Sequence, residues 1–272
     1  MNNLMRLINK FLRSDLYDKL PFFVARKVFK YSKIFYVETD LKKLPEVYKN
    51  KINYNYQKKI ITESKNNYFK PNNSCNNLLA ILKKIFYESK KINFFDFGAN
   101  NIDTFLYLNK NFSKLNYYYY DQADNMLQME RIKNEYNFHN LKIIKDFNLS
   151  DLEINFVFFG SSIQYIKNFD DILKQFIKKN PEFILFSLTP FYTSLAFSGD
   201  LIMKQVNVYN AVFYSYFFDY TKFIENFKKE NYEVVFSEAN NNVKFLNFRN
   251  FERTYKSVNL SDVLLKRTVS NN

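Results

Sequence analysis

The stretch NFFDFGANN, residues 93–101, decides the fold. The apolar residues of 92–97 predict a short buried strand that Asp96 closes, and Gly98 follows it just before a helical pattern. In open α/β sheets, such a strand-turn-helix junction cradles a nucleotide-like ligand. Glycine lets the backbone approach the ligand, the helix N-terminus offers free N–H groups, and the acid suits a positive group.

A second acid is expected about 20 residues downstream, at the end of the next strand, where it would accept hydrogen bonds from ribose hydroxyls. Asp121 occupies this place at the end of YYYYD, residues 117–121. We interpret these tyrosines as the filling of a buried strand and not as a stacking platform for bases. Asp96, Gly98 and Asp121 together predict a nucleoside-binding site.

From residue 75 onward, helical and strand patterns alternate at the spacing of repeated βα units, which predicts a mostly parallel sheet covered on both faces. Two late strand patterns, 233–237 and 243–248, predict an antiparallel hairpin at one sheet edge. The predicted helices are 76–89, 101–112, 125–136, 169–179 and 220–229, and the predicted earlier strands are 92–97, 117–121, 141–146, 154–160 and 183–188.

The loop after Gly98 separates two kinds of cofactor. A dinucleotide site has G-x-G-x-x-G for its pyrophosphate, whereas here one glycine precedes ANN, residues 99–101. The acids Asp96 and Asp103 would repel a pyrophosphate, but they suit the sulfonium and ammonium of S-adenosylmethionine (SAM). The order of elements also resembles that of class I SAM-dependent methyltransferases, whose final hairpin strand inserts into the sheet.

Further motifs extend the resemblance over roughly residues 76–237. They lie in VFFGSSIQYIKNFDDILKQF (157–176), FILFSLTPF (183–191), IMKQVNVY (202–209) and YSYFFDYTKFIENFKKENYEVV (214–235). Together they look like a family of methyltransferases encoded among bacterial surface-polysaccharide genes. The family's motifs are matched in order by Asp96-Phe97-Gly98, Asp121-Gln122, the run from Gly160 to Tyr165, Thr189-Pro190 and Gln205.

The resemblance and the strand ends imply the site residues. Asp146 would face the adenine ring, with Phe147 stacking on it or near it. Gln164 and Tyr165 are catalytic candidates at the rim of the sheet, and the start of a helix is the alternative. If the acceptor is a sugar hydroxyl, Asp96, Tyr165 or His139 would take its proton. The implied cofactor-binding residues are Asp96, Gly98, Asn100, Asp121, Asp146, Phe147 and Ser161.

Two positions depart from the family's pattern. The loop 99–101 has fewer glycines, so Cβ atoms crowd the approach of a cofactor. Leu188 stands before Thr189-Pro190 where a basic residue is expected, which indicates a changed substrate or a lost activity.

Composition excludes other chemistries. One cysteine and one histidine, Cys75 and His139, leave no disulfide framework and no Cys/His zinc site, so we expect no metal. A Ser-His-Asp hydrolase would need His139, which lies in a polar run typical of a surface loop. The net charge of +13 comes from lysines scattered singly and in pairs, as on solvated helix faces, so no nucleic acid partner is expected.

Residues 2–36 combine spaced apolar residues with interleaved lysines and arginines, which predicts a basic amphipathic helical segment broken near Pro21. Such a segment either lies peripherally on the inner membrane or packs on its own domain, and both interpretations stay open. The longest uncharged run, 183–199, is too short to span a membrane, and the start lacks a signal-peptide pattern. These features predict a cytoplasmic protein.

We therefore expect an N-terminal helical extension (1–75), a Rossmann-like class I methyltransferase domain (76–250) and a C-terminal tail (251–272). The resemblance implies methyl transfer from SAM to a saccharide or saccharide precursor, as a small molecule or linked to lipid. One alternative is a catalytically silent methyltransferase-like binding module, which the glycine-poor loop favours. The other is an RNA methyltransferase, which only the charge favours.

Overall fold

A computed structural model gives the fold of residues 34–38, 53–65, 73–86, 90–193, 199–207, 212–239, 246–249 and 259–268. The helices are α1 Tyr54–Lys65, α2 Asn73–Ile85, α3 Asp103–Asn111, α4 Ala123–Tyr136, α5 Phe169–Lys178 and α6 Tyr220–Lys229, with a 3-10 turn at Ile163–Tyr165. The strands are β1 Ile34–Glu38, β2 Ile92–Phe97, β3 Leu115–Tyr120, β4 Leu141–Ile143, β5 Phe156–Gly160, β6 Phe183–Tyr192, β7 Leu201–Asn207, β8 Val212–Asp219, β9 Tyr232–Ala239, β10 Leu246–Arg249 and β11 Asn259–Arg267.

The centre of the sheet is parallel and runs in the order β6-β5-β2-β3-β4. All six residues of β2 are buried, because helices cover both faces of the sheet. Phe94 belongs to an apolar cluster with residues of α1 to α4, whereas Phe95 and Phe97 belong to a second cluster with residues of α5 and α6. This alternation follows from the two-residue period of a strand. Together with the parallel pairing, it confirms the predicted sheet that is covered on both faces.

The antiparallel pair at the sheet edge is confirmed, but the predicted second strand of the hairpin is wrong. β9 pairs with β11, which lies between β6 and β9 and runs antiparallel to both. Residues 246–249, which overlap the predicted strand, form β10 and pair in parallel with β1. Local alternation in 243–248 could not reveal that the partner of β9 lies further along the chain.

β11 falls within residues 251–272, which the sequence predicts to be a tail. We therefore propose that the methyltransferase-like domain extends to residue 268. At its other end, β1 pairs with β7 and β10, so part of the N-terminal segment also belongs to the sheet.

β6 continues past the predicted end of its strand to Tyr192, through a bulge at residues 187–188. Leu188 has a φ of 51°, a left-handed conformation that is rare for a branched side chain. Its N–H donates to Oδ1 of Asp262 at 2.9 Å, and the Ser187 hydroxyl donates to the same oxygen at 2.7 Å. Asp262 is buried in β11, so its bonds hold the bulge and the position that departs from the family's pattern.

Beyond the bulge, β8 replaces β5 as the neighbour of β6 on one side, while β11 stays paired with β6 on the other. Phe191 and Tyr192 pair in parallel with Phe218 and Asp219 of β8. On this side of β6 the sheet continues in the order β8-β7-β1-β10. These four strands lie beside the methyltransferase-like part of the sheet. β7 and β8 were not predicted as strands, because β7 also depends on β1, which lies far away in the sequence.

Ending the chain after residue 250 is expected to abolish cooperative unfolding. β11 contributes the buried residues Val263, Leu264 and Leu265, and its loss would expose the facing edges of β6 and β9. Circular dichroism during thermal unfolding measures this, with a chain ending after Thr268 as the control. A cooperative transition of the shorter chain at the control's temperature would contradict the placement of β11.

Candidate functional site

The carboxyl ends of β2, β3 and β5 bring the predicted site residues to one edge of the sheet. Phe97 of β2 pairs with Tyr120 of β3 and with Phe159 of β5. The residues that follow these three therefore lie at the same level of the sheet. They are Gly98, Asp121 and Gly160, as the sequence predicts.

Asp96 is a buried carboxyl group directly below this edge. It is 1% exposed, and the Tyr117 hydroxyl donates a hydrogen bond to Oδ2. Burial raises the pKa of Asp96 to about 7; the Tyr117 hydrogen bond opposes this rise and the charge of Asp121 adds to it. A cation that bound beside Asp96 would favour its ionised form.

Gly98 is required by the close approach of Ser162. Gly98 has a φ of +70°, and a Cβ at this position would lie 2.5 Å from the Cβ of Ser162. The Ser162 hydroxyl donates to the carbonyl of Phe97 at 2.7 Å, so it joins the loop after β5 to the end of β2. Ser162 was not among the predicted site residues, although it lies in the small-residue run 160–162 of the family's motif.

The glycine-poor loop after Gly98 is shaped by asparagine. The N–H groups of Gly98 and Ala99 both donate to the carbonyl of Tyr120, at 2.8 and 3.3 Å. Asn100 has a φ of 56°, a left-handed conformation that asparagine tolerates better than most residues. Asn100 therefore makes the turn for which a second glycine was expected.

Asp121 holds this loop through its carboxylate. Oδ2 accepts from the Asn100 N–H at 3.0 Å, the Asn125 side chain at 2.9 Å and the Tyr119 hydroxyl at 3.3 Å. Oδ1 accepts from the Gln122 N–H at 2.7 Å. Because a carboxylate offers about four acceptor sites, the capacity that remains for a ribose lies on Oδ1. Ribose binding by Asp121 stays a prediction.

Asp146 and Phe147 lie beyond β4, which ends earlier than predicted, at Ile143. Asp146 is exposed. The half-buried Phe147 ring packs against Tyr120 and Phe176, with ring centroids 5.1 and 5.5 Å apart. Phe147 thus forms part of the apolar cluster next to α5, and its contact with adenine stays a prediction.

The structure brings Ser161, Gln164 and Tyr165 together in the turn after β5. Gln164 is 2% exposed, and its Nε2 donates to the Ser161 hydroxyl at 2.9 Å. Within the described part of the chain, the Gln164 Oε1 is buried without a hydrogen-bond partner. The residues 163–165 form one 3-10 turn, and the catalytic role of Gln164 and Tyr165 stays a prediction. His139 is exposed in the turn before β4. It therefore lies at the amino end of a parallel strand, whereas the predicted site residues follow the carboxyl ends.

Asp103 is a buried acid that was not among the predicted cofactor-binding residues. It begins α3, is 6% exposed, and burial raises its pKa to about 6. Among the described residues, its Oδ1 is buried without a hydrogen-bond partner. Asp96 near the end of β2, Asp103 at the start of α3, Asp121 after β3 and the unpartnered oxygen of Gln164 after β5 fit a ligand that carries an ammonium and two ribose hydroxyls, as SAM does.

The described ranges offer neither a metal centre nor a membrane span. They contain no group of three or more histidine, cysteine, aspartate and glutamate side chains that could hold a metal ion. None of the helices in these ranges has the length and apolar character that a membrane span needs.

Solved structures with a similar fold include the N-terminal domain of EvdMO1 in the presence of SAH and D-fucose, with a TM-score of 0.50 at 10% identity over 74% of this chain and 87% of that chain. The glycopeptide N-methyltransferase MtfA complexed with SAM gives a TM-score of 0.49 at 8% identity over 72% and 94%. A Burkholderia thailandensis 1,6-didemethyltoxoflavin-N1-methyltransferase has a TM-score of 0.46 at 10% identity, over 83% of this chain and 94% of that chain. No protein-family model and no curated protein matches. The chain has the Rossmann-like fold of class I methyltransferases.

Asp96→Asn is expected to change how stability depends on pH. Between the ordinary aspartate pKa of 3.8 and the raised pKa of about 7, the folded protein holds a proton that the unfolded chain releases. The free energy of unfolding of the parent therefore falls as pH rises through this range. Asparagine does not titrate. The free energy of unfolding of the variant minus that of the parent should therefore rise by about 3 kcal/mol from pH 5 to pH 8, at about 1.4 kcal/mol per pH unit of the titration.

Urea unfolding of both proteins at the two pH values measures this gain. Asp124→Asn is the control, because Asp124 is an exposed acid of the neighbouring helix. If the free energies of unfolding of the Asp96 variant and the parent differ by the same amount at both pH values, the pKa of Asp96 is not raised.

Proposed function

We propose that the chain is a SAM-dependent methyltransferase that acts on a saccharide or saccharide precursor of a bacterial surface polysaccharide. The observation that carries the proposal is the pair of acids, Asp96 and Asp121, beside the Gly98 turn at the carboxyl edge of a class I sheet. The EvdMO1 domain, whose structure was determined in the presence of SAH and D-fucose, supports a sugar as the acceptor.

SAM, when bound, supplies a methyl group on a positively charged sulfur. The backbone of the loop 98–102 would line its amino-acid part, and Asp121 would accept a ribose hydroxyl on Oδ1. Asp96 would respond to the ammonium group, because a nearby positive charge lowers the pKa of a carboxyl. Since that pKa is about 7 in the free protein, cofactor binding near neutral pH should release a proton from Asp96.

Methyl transfer depends mainly on alignment of the acceptor oxygen with the methyl group and on exclusion of water. Gln164 can orient an acceptor hydroxyl through its unpartnered Oε1, but an amide does not remove protons at neutral pH. Tyr165, in the same turn, is the candidate to take the hydroxyl proton late in the reaction, for which its phenol must first have lost its own proton. The position of His139 at the amino end of β4 removes it from this role.

One observation favours a second function, a silent binding module of the same fold. Asp121 already accepts hydrogen bonds from four donors of the protein, so ribose competes with bonds that stabilise the free loop. Under this alternative, the parent protein binds neither SAM nor SAH.

Asp121→Ala is expected to weaken SAH binding by roughly 1.5 to 3 kcal/mol, the range for hydrogen bonds to a charged group. The substitution removes the ribose acceptor and also releases the Asn100 N–H that shapes the loop. Isothermal titration calorimetry measures the affinity, with Asp124→Ala as the matched control. Unchanged affinity of the Asp121 variant would remove this residue from the site, and no binding by the parent would favour the silent module.

We also propose a cytoplasmic location with peripheral contact between residues 2–36 and the inner membrane, beside lipid-linked acceptors. Except for the backbone of 34–36, this segment lies outside the described residues. Each Lys or Arg near an anionic surface adds about 1 kcal/mol to binding, and salt screens this attraction.

The full chain is expected to sediment with phosphatidylglycerol vesicles at low salt and to remain in solution with phosphatidylcholine vesicles or at raised salt. A chain lacking residues 1–33, which keeps β1, should lose most of this binding. Equal sedimentation of the two chains would assign the segment to packing on its own domain.

A further inference from the structure

Helix α1 reaches the loop after β2 through one buried side chain. Gln57 is 2% exposed, and its Oε1 accepts a hydrogen bond from the N–H of Ile102 at 2.9 Å. Ile102 directly precedes α3, and it has no side-chain cap of its own. The first N–H groups of a helix have no partner within that helix, so a residue 45 positions upstream supplies an acceptor at this helix start.

The place of α1 does not depend on Gln57 alone. The Lys58 ammonium lies 2.7 Å from a carboxylate oxygen of Glu135 on α4, and the Tyr54 hydroxyl donates to Glu135. Ile60 and Ile61 are buried in the apolar cluster that contains Phe94 of β2. Loss of the Gln57 bond should therefore leave α1 docked and free only the Ile102 amide.

Two hydrogen bonds from outside the loop 99–102 therefore hold its backbone. Asp121 accepts from the N–H of Asn100 and Gln57 from the N–H of Ile102, so two side chains from outside the loop fix amides only two residues apart. A turn of this composition has less need of glycine, because side chains around it restrict its conformations. Gln57 contacts Ile102 through the amide and has no part in the sheet edge itself.

We propose that Gln57 is a positioning residue of the cofactor site and that α1 completes this site by holding the loop 99–102 in its binding conformation. The inference rests on the proposed function, since it takes SAM and SAH as the ligands. Gln57 acts through the Ile102 amide and not by touching the cofactor. Because coupling between two sites is reciprocal, bound cofactor should also stabilise α1.

The test is SAH affinity by calorimetry, in variants that separate the acceptor atom from side-chain volume. Gln57→Met keeps the volume and removes the acceptor, and it should weaken binding roughly five- to thirtyfold, as expected for one buried hydrogen bond. Gln57→Glu keeps an acceptor and should stay within about threefold of the parent. Lys59→Met, on the exposed side of the same helix, is the control and should bind as the parent does, because among the described residues Lys59 pairs only with Glu63 of its own helix.

Hydrogen exchange of the full chain supplies a readout that needs no variant. Added SAH should slow exchange of the amides of α1 and of the loop 99–102 in the parent protein. Unchanged exchange in α1 when SAH binds would overturn the inference even if the Gln57→Met protein does not fold.

The outcomes separate this inference from the proposed function. A parent that binds no SAH overturns both. A parent that binds SAH, together with a Gln57→Met protein of equal affinity and lower unfolding temperature, overturns only the positioning role and leaves Gln57 as a structural residue.

Discussion

The hydrogen bond from the Asn100 N–H to the Asp121 carboxylate is the interaction on which the proposed site depends. It joins the loop after β2 to the end of β3, the two places that a class I cofactor site needs side by side. A bond to a charged acceptor is worth about 1.5 to 3 kcal/mol, which offsets the strain of a left-handed residue, about 1 to 2 kcal/mol for L-residues in general. The Asp121 carboxylate therefore stabilises a left-handed turn that glycine residues adopt without strain in other nucleotide-binding loops.

The same edge of the sheet carries groups that cost stability. Asp96 and Asp103 are buried acids with raised pKa values, and among the described residues Asp103 and Gln164 each have a buried oxygen without a partner. Each such group costs about 1 to 3 kcal/mol. Their concentration around the carboxyl ends of β2 and β5 supports the proposed cofactor site.

The sequence is informative where the signal is local. The bounds of β2 and α6 agree with prediction because a buried apolar run and an amphipathic pattern are complete within a few residues. β11 was missed because its burial is created by β6 and β9, which lie earlier in the chain. Asp121 was recognised from its place after a strand. Its hydrogen bond with the Asn100 N–H depends on the left-handed conformation of Asn100, which the residue's secondary-structure propensity does not reveal.

Two residues show the same limit at the site. Ser162 could have been found, since it lies in a small-residue run directly after β5 and faces a glycine. Gln57 could not, because its partner lies 45 residues away and a lone glutamine in an amphipathic helix gives no signal. Pairings over long sequence distance are set by topology, so the second support of the loop became visible only in the structure.

A crystal structure of the full chain with SAH would decide whether this edge of the sheet is a cofactor site. We predict SAH across the carboxyl ends of β2 and β3, with a ribose hydroxyl on Asp121 Oδ1 and Asn100 still bonded to Oδ2. SAH bound elsewhere, for example in the groove between α5 and α6 that Leu173 and Phe223 line, would contradict this placement.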